Sequence, residues 1–171
     1  MDAYPPTDAP AANVERETVI QFLQNARRSV RAKCVGLSEA DAEKVPLSTS
    51  PAMSIVGVIS HLRWGEAFWI DVMFLGRPNQ WPGTDRDSEL QMRAGHGRSL
   101  SELLDEYAAQ TSHTDEVIAS HDWEAQAAAR HDETGRPMSL HYIVLRLLEE
   151  TAHHNGHLDI LRELADGVTG D

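Results

Sequence analysis

The densest chemistry in the sequence is the run Glu149-Glu-Thr-Ala-His-His-Asn-Gly-His157. On a helix, residues i and i+4 face the same way and i+3 lies beside them. Two triplets can therefore converge: Glu150, His154 and His157, or Glu150, His153 and His157. The surrounding apolar residues decide between them. At about 100° per residue, Leu140, Val144, Leu147, Thr151, Leu158 and Ala165 mark the buried face. His154 falls within roughly 20–30° of its centre and Glu150 within about 60°. His157 sits at the edge, and His153 projects to solvent. A carboxylate and an imidazole aimed into a core need partners, because isolated buried polar groups are costly. Either they bond to one another or they hold a metal ion, as Glu and His one turn apart do inside helical bundles. A metal also needs a ligand from another helix. His61, in Ser60-His-Leu-Arg-Trp-Gly-Glu66, flanks the apolar stripe of its helix and is the only histidine there. Glu66 falls inside that stripe, a second inward acid that needs a partner.

Four helices must position these residues. Residues 1–12 hold three prolines and read as a mobile tail, leaving 13–171 as one domain. Asn13 caps a first helix, Val14 to about Val35, with Val19, Phe22, Leu23, Ala26 and Val30 on one stripe and Gly36 as its stop. Leu37–Ser50 reads as a crossing linker with a capping-box-like turn at Ser38-Glu-Ala-Asp41. The second helix runs from near Ser54 to Leu75, ended by Gly76 and Pro78. Arg77–Arg98 is a long irregular connection. A third helix opens at the capping box Ser99-Leu-Ser-Glu102 and continues to Ile118. Asp122–Pro137 is another loop, and Ser139 caps a last helix that reaches about Ala165 and closes at Gly167. The two long connections are expected to line the entrance to the site, with Trp81 and Trp123 as pocket walls or ordinary packing. The pattern is all-α, a single four-helix bundle with long connecting loops.

Composition narrows the function. The 171 residues include 27 acidic and 15 basic side chains, a formal net charge of −12. Such a chain repels phosphate backbones, and it has no Lys/Arg run to overcome this, so nucleic acid is not an expected partner. No apolar stretch reaches the roughly 18–20 residues that span a bilayer, which sets membranes aside. The acidic, Pro-rich N-terminus is unlike a secretory signal. Cys34 is the single cysteine, too few for a disulfide framework or a Cys-based zinc knuckle. It reads as a small buried hydrophobe, and a reducing cytoplasm is the expected compartment. The remaining histidines, His96, His113, His121, His131 and His141, lie on connections, exposed faces or a first helical turn and are not expected to be ligands.

The segments His61-Leu-Arg-Trp-Gly-Glu-Ala-Phe-Trp69 and Glu149-Glu-Thr-Ala-His-His-Asn-Gly-His-Leu-Asp-Ile-Leu-Arg-Glu163 resemble the DinB-like superfamily. The closer resemblance is to its branch near the mycothiol-dependent maleylpyruvate isomerases, from about Val14 to Gly167. It implies an up-down-down-up bundle and a divalent metal, commonly nickel or zinc. It carries His61 over as the second-helix ligand and Glu150 and His154 as the last-helix pair. His157 is extra to the pattern, as a fourth ligand or as a group behind the ligands. Three protein ligands leave open positions, the mark of a catalytic metal. In some relatives that position takes a low-molecular-weight thiol such as mycothiol, made nucleophilic by the metal.

The leading expectation is a metal- and thiol-dependent transferase or isomerase acting on an electrophilic substrate, with His157 or Glu66 orienting a ligand or moving a proton. A non-catalytic or stress-linked metal-binding protein of the same fold is the second reading. A metal-free bundle with a His/Glu polar network is the third. A homodimer is an open expectation.

Overall fold

The expected long helices are present, with ends shifted by a few residues. The computed structural model describes residues 15–81, 88–131 and 134–169. The expected tail 1–12 and the Asn13 cap lie outside the described residues. Helix α1 (Glu15–Ala32) buries Leu23 and Val30, and Gly36 ends the following turn at φ 74°. Phe22, expected on the buried stripe, is 51% exposed. The linker folds one short helix, α2 (Glu39–Ala42), where the Ser38 hydroxyl accepts from the Asp41 N–H.

Helix α3 (Ile55–Ala67) starts at Ser54, whose hydroxyl accepts from Gly57 N–H at 3.0 Å. The expected single helix to Leu75 changes character after Ala67. Phe68–Phe74 is π-helical, and Leu75 N–H donates back five residues to Ile70 O at 3.0 Å. The wider turn brings Ile70, Met73 and Phe74 into one buried cluster with Leu23. The connection after it is not wholly irregular: it contains helix α4 (Ser88–Arg93). There Ser60 Oγ donates to Gln91 O at 2.7 Å. Gly95 approaches so closely that a Cβ would stand 2.3 Å from Val56 O, so only glycine lets the connection lie against α3.

Helix α5 (Leu100–Ser120) does not use the expected capping box. Ser99 makes no cap hydrogen bond to the helix backbone. Instead Glu39 of α2 accepts from Leu100 N–H at 2.8 Å, a tertiary cap that satisfies one of the free N–H groups of the first turn. The expected loop Asp122–Pro137 contains β1 (Gln126–Arg130), which pairs antiparallel with β2 (Pro137–Ser139) at the loop's end. Helix α6 (Leu140–Asp166) is capped by Ser139 and closed by Gly167 at φ 80°, as the sequence predicts.

The contacts fix the direction of each helix. Along α1 and α6 the partners advance together: Ala26 O accepts from Asn155, and Lys33 O accepts from Arg162. Those two helices are parallel. Leu100–Tyr107 packs with Ile55–Leu62, while Val117 and Ile118 pack with Ile70 and Phe74, so α3 and α5 are parallel too. Arg27 reaches Glu66 while Val30 lies with the start of α3, making α1 and α3 antiparallel. The order is up-down-down-up. Two apolar clusters occupy the two ends of the bundle. Polar side chains on each long helix, Arg27, His61, Glu66, Thr114, Glu150 and His154, fall between or at the margins of them.

Cys34 is buried, and burial pushes its thiol up to about 11. It stays a neutral thiol at physiological pH, as its expected role as a core filler requires. No helix among the described residues is long and apolar enough to cross a membrane.

Candidate metal centre

His61 projects from the middle of α3, and Glu150 and His154 from successive turns of α6. Their donor atoms all lie within 4.8 Å of one another. His61 Nε2 stands 2.9 Å from Glu150 Oε1, and His154 Nε2 stands 3.3 Å from the same oxygen. The two rings are tilted, with centroids 4.7 Å apart. Both histidines are buried, while the Glu150 side chain is one-third exposed. The group therefore sits at the rim of the core, walled by protein on the histidine side and open at the carboxylate.

Each ring is held from behind. His61 Nδ1 lies 2.9 Å from Gln91 Oε1, an acceptor, so Nδ1–H is the donor. His154 Nδ1 lies 3.2 Å from His157 Nδ1. Outer hydrogen bonds of this kind fix tautomer and ring orientation in histidine metal sites. With Nδ1–H committed to Gln91, a neutral His61 turns a bare lone pair toward a carboxylate oxygen. Two like-signed atoms at that separation need a proton or a cation between them. Zinc bonds of about 2.1 Å in a tetrahedral site place donors about 3.4 Å apart, close to the two separations between the histidines and the carboxylate oxygen. The donor set fits a divalent ion.

The electrostatics point the same way. Where a proton fills those gaps, hydrogen bonds from His154 and then His61 hold the Glu150 carboxyl well below the usual range, against the opposing effect of burial. Burial lowers His154, and burial with the neighbouring His154 lowers His157. The group is thus an ionised carboxylate beside a histidine whose surroundings favour the neutral, ligating form.

The expected site residues separate cleanly. His153 is exposed and His154 buried, as helical phase predicts. His157 is half-buried and touches His154, outside the converging set. Glu66, expected as a group that orients a ligand or moves a proton, finds its partner elsewhere: both its oxygens accept from Arg27, at 2.8 and 2.7 Å, and Oε2 also accepts from Thr114. Arg27 also binds Asp115 at 2.7 Å. Elsewhere His96 pairs with Glu43 and His113 with Asp71, and His141 stacks on Trp123. Trp81 meets Trp64 edge-on at 4.8 Å, and Arg63 lies over the Trp64 ring. Gln91 was not legible as part of the site, because it lies in a segment whose composition reads as irregular. Arg27 carried a signal, since it falls four residues after Leu23 and three before Val30, on the buried stripe of α1.

A solved structure described as a conserved protein from Enterococcus faecalis superposes with a TM-score of 0.72. It covers 92% of this chain and 100% of its own, at 13% identity, which shows a shared fold. No curated protein matches at the sequence level. The model of the mycothiol-S-transferase family, a DinB-like family, matches residues 18–167. Because that match runs from α1 through the end of α6, the chain as a whole belongs to the mycothiol-S-transferase family.

Proposed function

We propose that His61, Glu150 and His154 hold one divalent ion, zinc or nickel, and that the protein transfers a low-molecular-weight thiol, mycothiol foremost, to an electrophilic substrate. The observation that carries this reading is the convergence of two imidazole Nε2 atoms on one carboxylate oxygen, with both Nδ1 atoms held from behind. Two histidines and a glutamate leave the ion open positions, as catalytic zinc sites require. When bound, the ion lowers the pKa of a thiol there and stabilises the nucleophilic thiolate at neutral pH. The chain supplies the rest. Gln91 and His157 hold the two ligand rings in place. The sulfur loses its proton to solvent or a nearby base and forms the S–C bond at the electrophilic carbon, whose leaving group departs with its electron pair or whose π bond opens and takes up a proton. An isomerase would use the same addition and then expel the thiol. Family membership supports the thiol, and a reducing cytoplasm is where such thiols are kept.

Metal analysis of untagged protein, followed by thiol titration of the cobalt-substituted form, tests the reading. We expect about one metal per chain and a sulfur-to-cobalt charge-transfer band with mycothiol. A stoichiometric metal with no thiol response leaves a non-catalytic metal-binding protein. A metal-free protein after growth in added zinc or nickel leaves a His/Glu polar network.

A further inference from the structure

Two rows of side chains run past each other above the donor group. On α3 and its π-helical continuation the row is His61, Gly65, Trp69, and on α6 it is Arg146, Glu150, His154. Because α3 and α6 are antiparallel, His61 meets Glu150, and Trp69 meets Arg146, whose guanidinium carbon lies 5.7 Å from the ring centroid. Between these two contacts stands Gly65. A Cβ built there meets nothing within 4 Å, so packing does not require glycine at this position. A helix-interior glycine is nonetheless costly relative to alanine. Gly57 and Gly95 are explained by close backbone neighbours. Gly156 also faces open space, but on the exposed side of α6. Among the described glycines, Gly65 alone combines open space with a position between a donor group and a cation.

We infer that Gly65 keeps open a ligand slot running from the donor group to Arg146 and Trp69, and that the slot takes a substrate bearing a carboxylate. One turn of α6 separates Glu150 from Arg146 and two turns of α3 separate His61 from Trp69, so the slot spans about 6–12 Å. Arg146 pairs with Glu149 at the surface and lies over the Trp69 ring. A guanidinium presented this way recognises a carboxylate by charge-assisted hydrogen bonds, while the indole covers the adjoining apolar carbons. The inference rests on the proposed thiol chemistry for the identity of the ligand's other end, and only for that.

The test measures length and charge together. Cobalt-substituted protein is titrated with 6-mercaptohexanoate and with 6-mercaptohexanol, reading the charge-transfer band. Hexanoate alone is titrated against tryptophan fluorescence, with Trp69→Phe as the background. We expect the carboxylate thiol to bind about tenfold tighter than the alcohol, and Arg146→Gln to erase that preference without changing cobalt stoichiometry. Gly65→Leu should weaken both thiols at least about tenfold while metal content and Tm hold. Equal affinity for the two thiols in the wild type, or wild-type binding by Gly65→Leu, overturns the slot. If neither thiol gives a band, the transferase reading falls and the fluorescence decides the slot. A hexanoate response lost in Arg146→Gln and Gly65→Leu upholds it, and no response in the wild type overturns it.

Discussion

Two glutamates face the interior of this bundle, and they have opposite fates. Glu66 is almost fully buried and saturated: Arg27 donates to both oxygens and Thr114 to one. Burial pushes its carboxyl up, opposed by the Arg27 charge. Burial works against the Arg27 charge in turn, yet Glu66 and Asp115 hold that guanidinium above its ordinary value. Glu150 is one-third exposed and shares a single oxygen between two imidazoles. The first arrangement leaves no vacancy and braces α1, α3 and α5. The second gathers donors and leaves one side open. Inward polarity on a helix is thus a signal of partnership, and the partner's chemistry separates brace from site. Arginine closes a carboxylate, whereas paired histidines keep it available.

The largest loss is expected at Arg27. Arg27→Met leaves Glu66 buried with Thr114 as its remaining donor and should cost about 3–5 kcal/mol, a Tm drop of roughly 10 °C, while metal content per folded chain is unchanged. Adding Glu66→Leu should recover most of that loss, because a matched apolar pair removes the stranded charge. His154→Ala is the mirror experiment. Elemental analysis should fall from near one metal per chain to near zero, with the thermal midpoint of the metal-free protein moved far less than by Arg27→Met. Gln91→Leu and His157→Ala should each weaken metal affinity about 10–100-fold, measured by competition with a chelator, and keep the site. His153→Ala should leave both affinity and Tm at wild-type values. Metal lost in His153→Ala and retained in His154→Ala would reverse the helical register of the site.

Helical phase made much of this legible. The stripe on α6 separated His153 from His154, adjacent in sequence, because 100° of rotation carries one to solvent and the other to the core. Gly167 and Ser139 marked the ends of α6 by their own backbone and side-chain chemistry. What escaped reading depended on distant partners. Glu39 caps α5 from α2, which no local motif encodes, and Ser99 gave a capping box that the fold does not use. Gln-Ala-Ala-Ala-Arg has no apolar alternation to announce β1. Phe22 lies on the apolar stripe of α1 and is exposed all the same, since the stripe is wider than the surface its neighbours cover. Gln91 needed α4 docked through Ser60 and Gly95 before its amide came within reach of His61.

The parallel run of α3 and α5 has a consequence for how the connection between them can change. After α3 the chain must return the length of the bundle before α5 begins, about 31 Å for a 21-residue helix. An extended chain covers at most about 3.5 Å per residue, so roughly nine residues are the shortest connection that closes the topology. The segment between Leu75 and Leu100 is more than twice that. Deletions within the surplus leave the fold possible, yet α4 is drawn from this surplus and carries the group that holds His61. Shortening the crossover would therefore spare the bundle and strip the site. The length of this connection goes beyond what the path around the bundle demands, and the excess delivers Gln91 to the candidate metal centre.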